Sequence, residues 1–91
     1  MDDGIEREVL EEIARRGVAN YQELAHFLDG KVINPLEVIT KVAKSLSGRN
    51  LIIYVSPIGQ TCLAITQKGM REAKVMEQER NGRNTERSSS I

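Results

Sequence analysis

A chain of 91 residues with a formal net charge of zero, one Cys, one Phe, two Tyr and no Trp is one small domain whose core must be built mostly from Ile, Leu and Val. Balanced charge excludes an undirected nucleic-acid-coating protein, and no apolar stretch is long enough to span a bilayer. The acidic start at Asp2-Asp3 lacks the basic and apolar regions of a signal peptide, so a soluble, cytoplasmic protein without a membrane partner is expected.

The first helix shows an apolar stripe of Ile5, Val9, Leu10 and Ile13, with acids crowding its start, Arg15-Arg16 in its last turn and Gly17 as its stop. Val18-Ala19 is a candidate for a short strand. Asn20 and Glu23 have the spacing of a capping box, and Tyr21, Leu24, Ala25 and Leu28 then recur on one helical face until Asp29-Gly30 ends it. In the connection that follows, Val32 and Ile33 are expected to tuck into the core.

The next helix starts with Asn34 as N-cap and Pro35 at the first helical position, where a missing N–H costs nothing. At about 100° per residue, Ile39, Val42, Ala43 and Leu46 fall on one side, and Glu37, Thr40, Lys41 and Lys44 on the other. Leu46 is therefore assigned to the core, and Ser45 to a position where replacement by Ala should be nearly silent. Two short capped helices in succession have the shape of a helix-turn-helix.

Leu51–Val55 is a β-rich run, residues 56–60 are a turn, and residues 61–66 are a second strand, so together they read as a hairpin. Gln67-Lys-Gly-Met-Arg-Glu-Ala73 opens another helix. From Glu77 onward the chain is polar with almost nothing to bury, which predicts a flexible tail over residues 81–91 beyond a domain of residues 1–80.

The order of these elements resembles the winged helix-turn-helix domains of small bacterial, archaeal or archaeal-virus transcription regulators of the MarR-like kind. Two stretches carry the resemblance. Leu46 is followed four residues later by Asn50, which suits the left-handed turn that opens the first wing strand, and Ile65-Thr66-Gln67-Lys68-Gly69 matches the apolar-Thr-x-Lys-Gly close of the wing. The resemblance implies an α+β fold: a three-helix bundle, a two-stranded β-hairpin wing joined by Val18-Ala19, and a C-terminal helix.

It further implies a homodimeric regulator that binds double-stranded DNA, with helix 34–47 in the major groove and wing 51–66 on the backbone. The residues so placed are Lys31, Asn34, Glu37, Thr40, Lys41, Lys44 and Arg49, with Ser56 and Gln60 from a wing tip that carries no Arg or Lys. Met70, Ala73 and Met76 share a helical face that suits a subunit interface; for Met70 and Ala73 the alternative is packing on the protein's own first helix.

Charge is unevenly distributed along the chain. Residues 1–29 hold eight acids against three Arg, whereas residues 30–74, the helix-turn-helix and wing, hold seven cations against two acids. That alignment favours phosphate binding, although charges scatter over any soluble surface. The alternative function is a winged helix used as a protein-interaction module, docking through the neutral wing and Ile58. A lone His26 and a lone Cys62, taken as a small core residue, offer no metal set, catalytic triad or acid–base pair. No enzyme activity and no cofactor are therefore expected.

Overall fold

The computed structural model describes residues 3–75 and residue 78. Among them are α1 (Asp3–Arg16), β1 (Val18–Asn20), α2 (Tyr21–Phe27), α3 (Pro35–Gly48), β2 (Ile52–Val55), β3 (Cys62–Ile65) and α4 (residues 67–75). The fold is thus α+β, with four helices and a three-stranded antiparallel sheet of order β1-β3-β2. None of these helices is long and apolar enough to cross a membrane. The expected tail over residues 81–91 and the side chain of Met76 lie outside the described residues.

Each helix is placed by the apolar face its sequence supplies. Val9, Leu10 and Ile13 of α1, Leu24 of α2 with Leu28 just after it, and Ile39, Val42, Ala43 and Leu46 of α3 all lose essentially all contact with solvent. The sheet closes this core from one side. Ala19 and Leu63 lie in one inward row, ending at Tyr54 on the outer strand, and Ile52 opposite Ile65 forms the next. The opposite face of the sheet is a row of Val18, Ala64 and Ile53 and a row of Asn20, Cys62 and Val55. Cys62 is therefore half-buried on the outer face and not a core residue, because strand alternation gives the inward position to Leu63.

Local chemistry sets the element ends. Gly17 leaves α1 with φ +82, a conformation costly for other residues, and its carbonyl accepts from Ile65 N at 3.0 Å, so the helix stop is also where the chain joins the sheet. The capping box forms: Glu23 N donates to Asn20 Oδ1 (2.8 Å) and Asn20 N to Glu23 Oε1 (2.9 Å). A charge relay ties that cap to α1. Glu12, only 7% exposed, accepts from Arg15 and, at 2.6 Å, from Arg16 Nε, while Arg16 Nη1 reaches Glu23 Oε2 at 3.2 Å. Burial alone would raise the Glu12 carboxyl, but the hydrogen bonds and charges of the two arginines outweigh it and hold the group below its ordinary value. Its stabilising contribution is present above the carboxyl's unfolded pKa and is lost as pH falls through the lower folded one.

Two expectations, on Ile33 and Ser45, are corrected here, and a third, on Asn34, holds in position but not in bonding. Ile33 is 94% exposed and only Val32 packs on the core. Val32 is held by a bridge to Asp29, and neighbouring side chains of an extended segment point opposite ways, so only one of the pair can turn inward. Asn34 does hold the N-cap position, with Pro35 opening the helix, but it sits at φ −121, ψ 81, unlike the ψ 171 of Asn20; its side chain makes no cap bond, and only its carbonyl accepts, from Val38 N at 3.0 Å. Ser45 is not idle, since its Oγ donates to Glu6 Oε1 of α1 at 2.9 Å.

The α3–β2–β3–α4 junction is a close approach of backbone to backbone. Asn50 takes φ +62, which turns the chain so that Leu51 N donates back to Leu46 O at 2.9 Å. Thr66 N then donates to Leu51 O (3.1 Å), and its hydroxyl proton is shared between Asn50 O (2.8 Å) and Leu51 O (3.0 Å). The same hydroxyl oxygen accepts from Gly69 N at 2.9 Å, capping α4. A Cβ on Gly69 would fall inside van der Waals contact of Leu51 O and 2.7 Å from Ile65 Cδ1. Ala73, one turn further, is buried in the chain's own core.

Two stability contrasts follow. Gly69→Ala should lose about 1 to 3 kcal/mol by overpacking, whereas Gly48→Ala, in open space near the end of α3, should gain up to about 1 kcal/mol. Chemical denaturation reads both, and equal midpoints would refute the close approach at Gly69. Leu46→Ala should cost about 2 to 5 kcal/mol, and Ser45→Ala about 1 kcal/mol through the lost bond to Glu6. A Ser45→Ala midpoint unchanged from wild type would show that bond to carry no weight.

Candidate nucleic-acid interface

The outward face of α3 exists because its inward face is consumed by the core. With Ile39, Val42, Ala43 and Leu46 buried, the helix period leaves Glu37, Thr40, Lys41 and Lys44 in solvent along one side. All nine residues singled out from the sequence, from Lys31 to Gln60, are exposed. They are not equally free.

Lys41 Nζ lies 3.2 Å from Glu37 Oε1, an exposed pair at i,i+4 spacing. Thr40 Oγ1 donates to Leu36 O at 2.8 Å, leaving its oxygen lone pairs available to an incoming donor. Lys31 Nζ meets Glu8 Oε1 at 2.9 Å and lies over the Phe27 ring, 4.9 Å from its centroid. Arg49 Nη1 stands 3.6 Å from Glu6 Oε1. Lys44 has no charged partner among the described residues, so α3 contributes one unpaired cation and two that are held by carboxylates of α1 are set at its flanks. Exposed ion pairs such as Lys41–Glu37 and Lys31–Glu8 contribute about 0 to 1 kcal/mol, a modest barrier to exchanging a carboxylate for a phosphate, whereas Glu6 is only 13% exposed and holds Ser45 as well as Arg49.

The wing brings Ser56 and Gln60 to an exposed tip built on Gly59 at φ +79. Ile58 stands 86% exposed between them. On α4, Lys68, Arg71 and Lys74 are exposed, Met70 is half-buried, and Val75 is exposed. Of the residues assigned to a subunit interface, Ala73 thus belongs to the monomer core and Met70 is partly available.

Two features of this surface escape a reading of the sequence. Burial pushes the Tyr21 phenol at the start of α2 up, and the neighbouring Tyr54 of β2 adds to the effect. Strand alternation, which puts Tyr54 on the inward side, was the available signal. The second is an open groove of about 610 Å³ between α2 and the start of α3, with Ala25, Pro35 and Leu36 among its lining and Asp29 and Glu37 beside them. It depends on the angle between two helices, which periodicity does not encode. Among the described residues no group of His, Cys, Asp and Glu side chains could hold a metal ion. Comparison with known proteins finds no family model, no curated protein and no solved structure that matches this chain.

Proposed function

We propose that this protein is a winged helix-turn-helix regulator that binds double-stranded DNA, with α3 in the major groove and the β2–β3 hairpin along the backbone. The observation that carries the reading is the two-sided α3: a wholly buried apolar face fixes the helix, and the opposite face presents Thr40, Lys41 and Lys44 to solvent. The order of elements, with a hairpin directly after α3 and a short first strand paired to it, is compatible with that layout. Phosphates are held by Lys41 and Lys44, and base edges by Asn34, Glu37 and Thr40. A protein-interaction module is the second reading, favoured by the uncharged wing tip and the exposed Ile58.

A homodimer extends the proposal, because one domain with few phosphate contacts binds weakly and two-fold regulators read two half-sites. The strip on α4 available for such contact is Met70 and Val75, flanked by Lys68, Arg71 and Lys74.

Lys41→Ala with Lys44→Ala should weaken duplex binding and flatten its salt dependence by roughly one unit per lost phosphate contact, with little change in thermal stability. Glu6→Gln with Glu8→Gln, which frees Arg49 and Lys31, should strengthen binding at low salt. Unchanged affinity in the folded Lys variant removes α3 from the interface; salt-independent association of a partner protein at Ile58 supports the module instead. For assembly, sedimentation at tens of micromolar should give a dimer that Met70→Glu dissociates, and a wild-type monomer there would exclude it.

A further inference from the structure

We propose that the groove between α2 and the start of α3 is a docking site for a cationic amphipathic helix of a partner protein. The floor is apolar, formed by Ala25, Pro35 and Leu36, and Leu36 is 57% exposed within it. An apolar groove rimmed by polar residues is a surface of the kind that takes a partner or a ligand.

Charge then selects the occupant. Asp29 and Glu37 line the groove, and no Lys or Arg does. The Asp29 carboxylate has no ion-pair or hydrogen-bond partner among the described residues, and Glu37 is engaged only by Lys41 in an exposed pair that a competing cation can replace. A phosphodiester meets repulsion here, and the apolar floor offers it nothing. A helix with Leu-like residues at i, i+3 and i+4 and Lys or Arg along its flanks satisfies both features, because an apolar face fills a groove between two helices while the basic flanks meet its acids.

The site divides α3 along its length. Glu37 and Lys44 are seven residues apart, about 10 Å along a helix axis, so the groove meets the front of the exposed side of α3 while Lys44 stands at its rear. Partner binding at the front occupies Asn34 and Glu37, two of the groups assigned above to base edges, and therefore competes with a duplex. The docking itself does not require that a duplex bind.

The test uses the isotopically labelled full chain, titrated with a short helical peptide whose one face is Leu and other face Lys, and with a Leu/Glu peptide of the same pattern. The Leu/Lys peptide should shift the amides of Ala25, His26, Leu36 and Glu37 and saturate below about 1 mM. Asp29→Asn with Glu37→Gln, and separately Leu36→Ser, should each weaken it by about tenfold while keeping a folded spectrum. Should either variant fail to fold, added salt on the wild type serves in place of the charge change, and must weaken the Leu/Lys complex. Equal affinity for the Leu/Glu peptide, shifts centred on Val18 and Ile53 of the outer sheet face, or no saturation would each overturn the proposal.

Discussion

The carbonyl of Leu51 is where four elements meet. It follows the left-handed turn at Asn50 that ends α3, opens β2, accepts the Thr66 N–H as β3 ends, shares the Thr66 hydroxyl that caps α4, and lies against Gly69. A hydroxyl that caps a helix while donating to a strand couples the two directly, so neither moves without breaking the other's hydrogen bonds. Because the hairpin springs from this point, the direction of the wing relative to α3 is set here and not at its tip. Any function that needs α3 and the wing to meet one partner together depends on it.

Electrostatics give α1 a second duty beyond packing. Along the chain, acids and cations are segregated, but in space Glu8 meets Lys31 and Glu6 meets Arg49. The acidic helix thus acts as an internal counter-ion for the flanks of α3. These carboxylates are therefore less available for attraction between subunits than linear counting suggests, and the net field near α3 is weaker than its own sequence would produce. A duplex would need to exchange carboxylates for phosphates at those positions, which lowers the net gain from each cation.

Where one kind of local chemistry dominates, sequence and structure agree residue by residue. The capping box at Asn20 and Glu23, the stop at Gly17, the left-handed Asn50 and the buried set Ile39, Val42, Ala43 and Leu46 are each fixed within a few positions of the residue itself. Short β1 was legible only as two residues, since its register depends on a strand far along the chain. Ile33 was misread because hydrophobicity ignores which way an extended segment turns, whereas the N-cap position of Asn34 was legible and only its missing side-chain bond, set by the backbone before a proline, was not. Of the candidate site, exposure followed from helix phase; the ion pairs of Lys31 and Arg49 and the groove arise from the packing of elements and have no signature in spacing.

The strand order carries a kinetic consequence. β2 and β3 are joined by a short turn and can zip as a local hairpin, and α2 and α3 are also neighbours in sequence. β1 instead pairs Val18 with Ala64, residues 46 apart, and must wait for the chain between them to be organised. The helix that precedes β1 is bound by the same delay, because Gly17 both ends α1 and accepts from Ile65. During synthesis α1 emerges well before β3, with only α4 among the described elements to follow that strand, so its apolar stripe of Val9, Leu10 and Ile13 stays uncovered by the sheet until most of the domain has left the ribosome.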